Sequence, residues 1–160
     1  MADADAPSPS TSSAGLQWNT GPTAKAKTAV QRAVSALLDE LAPERVLRRV
    51  DQLPDPDLVE QHRTPTGCVL QAADAAVSVS WFPADEALGE LHVLAWRGKV
   101  TRRGAPPPRQ KATVASELIL LPVDVSGECL WQAADGTRYD TSALVAKSLA
   151  LLEAQIAAKR

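Results

Sequence analysis

The chain has 160 residues, of which 45% are hydrophobic, and a formal net charge of −2 at neutral pH. This length allows one domain with a real core, and this composition excludes wholesale disorder. The sequence contains neither a signal-peptide pattern nor the run of roughly 18 apolar residues that a membrane helix needs. We therefore expect a soluble, cytoplasmic protein that does not bind membranes.

The first 21 residues are rich in Ser, Pro, Ala and Thr. Such a segment has too little apolar surface to offset the entropy lost on ordering, so we predict a disordered N-terminal arm. A single α+β domain is predicted over residues 22–160. Trp18, in LQWNTGP, is the exception within the arm. It is either incidental or an anchor that docks on the domain or on a partner, and the sequence leaves both open.

Two helices are predicted between residues 22 and 53. The first starts near Thr23, because apolar residues then recur at spacings of three and four. Its predicted apolar face consists of Ala26, Val30, Ala33, Val34, Leu37 and Leu41. Pro43 ends this helix or opens a second one, PERVLRRVDQL, and the PDPD that follows breaks the chain. The next segment, EQHRTPT, is polar, and we interpret it as a connection with His62 exposed in it.

Five or six antiparallel strands are predicted over residues 66–139. AVSVSWF alternates strictly, with Val77, Val79 and Trp81 on one face, which is typical of a half-buried strand. ELHVLAWRGKVTRR is predicted as one long strand with a bend at Gly98. Asp135-Gly136 indicates a hairpin, in which we expect both residues to have positive φ. Strands joined by short loops pair as a meander.

A helix is predicted over residues 140–158, with Asp140 or Thr141 as its cap. Its apolar stripe consists of Leu144, Val145, Leu149, Leu152 and Ile156. The predicted fold is therefore an α+β antiparallel sheet packed by an N-terminal helical pair and this C-terminal helix. The alternative is a bent barrel, like a pleckstrin-homology domain, capped by the C-terminal helix.

The stretch from Trp96 to Lys111 contains six basic residues and no acidic one. The rest of the chain has 11 basic and 19 acidic residues and a net charge of −8, so the basic stretch is a local feature. Its three prolines favour a stiff extended connection, which would present an arm at one end of the sheet. The candidate residues for an anionic partner are Trp96, Arg97, Lys99, Arg102, Arg103, Arg109 and Lys111. A merely solvated basic loop explains the same pattern.

The sequence has no motif for cofactor binding or nucleophilic catalysis. Two scattered histidines and two scattered cysteines do not have zinc-ligand spacing, so we expect no metal and no cofactor. Cys68 and Cys129 are interpreted as small buried hydrophobes. Glu90 and His92 share one face of a predicted strand, and with Trp131 they could line a pocket between the sheet and the helices.

These observations favour a non-catalytic protein-interaction or assembly module, with another protein or a second copy of the chain as its partner. The candidate contact surface is the basic strand–loop arm at residues 97–111. One alternative is a binder of nucleic acid or another anionic ligand through that arm, although the acidic remainder would repel a long polyanion. The other is a small-molecule binder or enzyme that uses the pocket.

Overall fold

The computed structural model describes residues 23–46, 59–100 and 111–158. In chain order the elements are α1 (Ala24–Glu40), α2 (Pro43–Val46), β1 (Val59–Thr64), β2 (Gly67–Ala72), β3 (Ala75–Pro83), β4 (Gly89–Arg97), β5 (Thr113–Val125), β6 (Glu128–Ala133), β7 (Arg138–Tyr139) and α3 (Thr141–Ala158). The predicted arm at residues 1–21 and most of the second predicted helix lie outside the described residues. Within those residues, none of the helices is both long and apolar enough to cross a membrane.

The strands form one antiparallel sheet in which each strand pairs with the next along the chain, in the order β1 to β7. The predicted α+β class and the antiparallel meander are therefore confirmed. The barrel alternative is wrong, because the sheet is open and, within the described ranges, its edge strands β1 and β7 each pair with one strand. The predicted count of five or six strands was also too low, since the described residues form seven.

The additional strand is β1, which corrects the interpretation of EQHRTPT as a connection. Of its six side chains only Val59 is buried, so β1 has no apolar alternation to detect. Its polar side chains instead bond to the chain around the end of α1. Gln61 Nε2 donates to Leu41 O at 3.0 Å, and Arg63 Nη1 donates to Asp39 Oδ1 at 2.6 Å.

The predicted hairpin at Asp135-Gly136 is confirmed between β6 and β7, with one correction to its geometry. Of these two residues, Gly136 has a positive φ, of 89°, and Asp135 does not. Gly136 N donates to Ala133 O at 3.0 Å, and Ala133 N donates to Thr137 O at 2.9 Å. This pattern is a type I turn followed by a glycine bulge, which requires positive φ only at the glycine.

The core lies on one face of the sheet, under α1 and α3. α3 packs on β3 and β4, and α1 packs beside α3 and reaches β6. Both predicted helical stripes face the core, with Ala26, Ala33 and Ile156 only partly buried. Trp81 and Trp131 meet in this core, edge to face, with their ring centroids 5.8 Å apart. Asp140 caps α3, because its Oδ1 accepts from Ala143 N at 2.7 Å.

Candidate interaction surface

The face of the sheet opposite the helices exposes apolar side chains. Four large hydrophobic residues are exposed among the described residues: Phe82 (52%), Val114 (49%), Ile119 (39%) and Leu121 (51%). Successive side chains of a strand point to opposite faces of the sheet, and cross-strand partners point to the same face. Because buried Trp81, Leu91 and Leu120 pair with one another on the helix-covered face, the register places all four exposed residues on the other face. We call these four residues the open-face patch.

The open-face patch is continuous with half-buried neighbours on adjacent strands. The His92 ring lies edge to face against Phe82, with ring centroids 4.7 Å apart, and His92 is also the cross-strand partner of Ile119. Trp96 is the cross-strand partner of Val114. The Trp96 indole is held in place, because its Nε1 donates to Ser78 Oγ at 2.9 Å. Together with His92 and Trp96 of β4, the open-face patch therefore forms one surface across β3, β4 and β5.

The charged side chains of this face are mainly acidic. Among the described strand residues, four glutamates lie on it, at positions 60, 90, 117 and 128, against one arginine, Arg138. Two of these glutamates are paired with a histidine two residues along the same strand. His92 Nε2 lies 2.9 Å from Glu90 Oε1, and His62 Nε2 lies 3.4 Å from Glu60 Oε1.

The structure separates the residues of the predicted pocket. Glu90 and His92 do share a face, as predicted, but it is the open face. Trp131 lies on the opposite face, in the core, and is fully buried. The three residues therefore do not line one pocket. The Trp131 indole Nε1 has no hydrogen-bond partner within the described residues.

The structure also divides the basic stretch. β4 ends at Arg97, whose side chain lies on the helix-covered side, where its Nε donates to Gln155 Oε1 of α3 at 3.0 Å. Trp96 points to the open face, so these two residues do not share a surface. Lys99 and Lys111 are exposed. Arg102, Arg103 and Arg109 lie outside the described residues.

The chain that follows β4 is tied back to the turn between β2 and β3. Gly98, with a φ of 101°, donates its N–H to Asp74 O. Val100 N donates to Gln71 Oε1 at 3.0 Å. The first residues of the predicted arm are therefore held against the sheet, whereas the sequence predicted that the strand continues past Gly98.

Both cysteines are free thiols on the helix-covered face. Burial raises the pKa of Cys68 to about 11, against smaller opposing effects of a hydrogen bond with Gln61 and of the Arg63 charge. Burial, followed by the negative charge of Asp124, also raises the pKa of Cys129. Because the thiolate is the nucleophile, neither cysteine has the microenvironment of a reactive one.

A cavity of about 310 Å³ lies between the start of α1 and the β5–β6 hairpin. The cavity was not predictable from the sequence, because its walls come from segments about a hundred residues apart. Its lining consists of Thr23, Lys25, Ala26, Ala29, Val30, Leu88, Pro122, Val123, Asp124, Gly127 and Cys129. No group of three or more potential metal ligands occurs in the described part of the chain.

Comparison of the chain with protein-family models, with curated proteins and with solved structures finds no match. The sequence did contain one signal for the open-face patch. β5 reads TVASELILLPVDV, with apolar residues at both odd and even positions from Leu118 to Val123. A strand apolar on both faces is typical of one that is covered on both faces.

Proposed function

We propose that the protein is a non-catalytic interaction module that binds a partner protein on the open face of its sheet. One observation carries this proposal: all four exposed large hydrophobic residues of the described chain lie on that single face. Isolated exposed apolar residues need no explanation, but a contiguous set rimmed by polar groups is typical of an interaction site. The partner covers the apolar strip that the protein's own helices leave open.

The charges around the patch define the chemistry of the partner. Four glutamates and one arginine give the open face a negative balance. Complementary charge steers encounter and suppresses wrong partners. The partner is therefore an amphipathic segment with apolar side chains on one side and Lys or Arg at their margin.

The strip has the length of a short helix. From Val114 to Leu121 the patch follows β5 for seven residue steps, or about 23 Å at roughly 3.3 Å per residue, with Glu117 between Val114 and Ile119 on the same face. A helix of about 15 residues has the same length. Binding an amphipathic helix through residues at spacings of three and four is a recurrent recognition mode.

A synthetic 15-residue Leu/Lys helix tests the proposal, and a Leu/Glu helix of the same pattern is its control. We expect the wild-type protein to bind the Leu/Lys peptide at least tenfold more tightly than the Leu/Glu peptide, as measured by fluorescence anisotropy. The Ile119→Lys/Leu121→Lys variant should lose this binding, because it removes apolar area and adds like charge. Thr28→Lys/Ala36→Lys places the same charges on exposed positions of α1 and should bind as the wild type does.

Two results would count against this partner. Equal binding by the patch variant and the α1 variant would show that the open face is not the contact surface. A wild-type dimer in analytical ultracentrifugation that becomes a monomer in Ile119→Lys/Leu121→Lys would mean that a second copy covers the patch instead.

This proposal assigns no contact with the partner to Arg102 and Arg103 of the basic stretch. The Arg102→Glu/Arg103→Glu variant should bind the Leu/Lys peptide as tightly as the wild type. Salt-dependent binding of a single-stranded oligonucleotide by the wild type, lost in this variant, would instead support the anionic-ligand alternative.

A further inference from the structure

The cavity between α1 and the β5–β6 hairpin combines an apolar wall with polar groups at its rim. Ala26, Ala29 and Val30 of α1 face Leu88 and Cys129 across it. Leu88 and Cys129 are only partly buried, so the cavity leaves apolar surface uncovered within the described residues. An apolar pocket with a few polar groups is the usual form of a binding site for one apolar group.

Two oxygen-bearing residues stand at this rim. Thr23 is the N-cap of α1, and its hydroxyl accepts from Ala26 N at 3.1 Å. Asp124 accepts from Gly127 N at 3.0 Å through one carboxylate oxygen. A carboxylate offers about four acceptor positions, so Asp124 has capacity for a further donor. Lys25 also lines the cavity but can only donate, so Thr23 and Asp124 supply the side-chain acceptors at the rim. The cavity therefore suits an apolar group that carries one hydrogen-bond donor.

The described chain begins at the rim of the same cavity. Thr23 is one of its lining residues, and Trp18 precedes Thr23 by five positions. Five residues span at most about 18 Å when fully extended, so Trp18 lies no further than that from Thr23 at the rim of the cavity. Gly21 stands between them and allows backbone conformations that let the chain reverse.

We propose that the indole of Trp18 occupies this cavity, so that residues 16–18 dock on the domain just before α1. A tryptophan side chain buries roughly 150–250 Å² and supplies one N–H donor, which Asp124 accepts at the rim. The short connection gives the docking segment an effective concentration in the millimolar range, so the docking needs little intrinsic affinity. This inference does not depend on the partner proposed for the open face.

The test uses the full chain and the indole N–H signals of its four tryptophans in a ¹H–¹⁵N spectrum. Loss of one signal in Trp18→Phe identifies that of Trp18. A soluble paramagnetic agent then reports the exposure of each indole. We expect the relaxation enhancement of Trp18 to be at least threefold lower in the protein than in a peptide of residues 14–22.

Two glutamate variants of α1 locate the docking site. Ala29→Glu places a charged side chain in the cavity and should raise the enhancement of Trp18 to the value of the peptide. Ala36→Glu lies two turns further along the same side of α1, outside this cavity, and should leave Trp18 protected. Both alanines are exposed, and wild-type positions of the other three indole signals check that each variant is folded.

The proposal is overturned if Trp18 in the wild type is as accessible as in the peptide, or if the two variants act alike. Protection that disappears on tenfold dilution would also overturn it, because Trp18 would then occupy a second copy of the chain.

Discussion

Both faces of the sheet contain large apolar residues, but one face is covered by α1 and α3 and the other is exposed. On β5, Leu120 is fully buried under the helices, whereas its neighbour Leu121 is 51% exposed on the open face. The same residue type therefore stabilises the fold at one position and is available to a partner at the next. The difference arises from which face the helices cover.

Truncation of the two leucines should separate these roles most clearly. Leu120→Ala removes a fully buried side chain from the core and should lower the free energy of unfolding by about 3–4 kcal/mol. Leu121→Ala removes a side chain that is half in water already, and should cost less than about 1 kcal/mol. Urea denaturation of both variants measures the difference.

A large loss of stability in Leu121→Ala would contradict the comparison, because it would mean that the open face is covered within the protein itself. The two substitutions should affect binding of the Leu/Lys peptide in the opposite order. Leu121→Ala should weaken it, while Leu120→Ala should leave it unchanged below the denaturant concentration at which that variant unfolds.

The covered face was largely predictable from the sequence. Each helix packs one side on the core, so its buried residues recur with the helical period, as Val30, Val34 and Leu37 do. On β3, apolar Val77, Val79 and Trp81 alternate in sequence with Ser78 and Ser80 because they point to the helices, although Ser78 is buried as well. Periodicity identifies an element that is apolar on one side and polar on the other.

The open face was not predictable by the same reasoning. The apolar run on β5 gives no period, so the sequence alone does not say which leucine meets the helices. β1 was missed for a different reason. On its inner face, Gln61 and Arg63 make hydrogen bonds where other strands have apolar side chains, so its sequence has no apolar alternation. Tertiary contacts decide both cases, and a one-dimensional pattern does not contain them.

The buried thiol of Cys68 should make the free energy of unfolding depend on pH. Burial raises its pKa from 9.0 to about 11, so the folded protein keeps the thiol proton that the unfolded chain loses. The resulting stability is fully present below pH 9 and is lost as the pH rises through about 11. The loss amounts to about 2–3 kcal/mol, since one pKa unit corresponds to about 1.4 kcal/mol.

The measurement is urea denaturation between pH 8 and 11.5, with Cys68→Ala as the matched control. All other groups are the same in the two proteins, so the difference between the two slopes isolates Cys68. Parallel slopes would show that the thiol is solvated, and the covered face would then be less dry than the structure indicates.

Substitution of Gln71 tests whether side chains on the open face also contribute to the free energy of unfolding. Its Nε2 lies within hydrogen-bond distance of three carbonyl oxygens, those of Ala73, Ala75 and Gly98, and its Oε1 accepts from Val100 N. Gln71→Ala should cost about 2 kcal/mol, because it removes several hydrogen bonds worth roughly 0.5–1.5 kcal/mol each. It should also accelerate hydrogen exchange at the Val100 amide.

Gln132 on the same face is the control, because it accepts a single bond, from exposed Arg138 at 2.8 Å. Gln132→Ala should cost less than about 1 kcal/mol. Equal costs for the two alanine variants would mean that the Gln71 bonds contribute nothing beyond those of an ordinary surface amide.

The isosteric change Gln71→Glu then separates the two ends of the amide. Glutamate still accepts from Val100 N, but it has no donor and brings a negative charge towards the carbonyl oxygens of Ala75 and Gly98. If the bonds to the carbonyls dominate, Gln71→Glu costs at least as much as Gln71→Ala. If the Val100 bond dominates, Gln71→Glu is nearly neutral and the Val100 amide stays protected. The first outcome would mean that Gln71 chiefly fixes the β2–β3 turn, and the second that it chiefly fixes the start of the basic stretch.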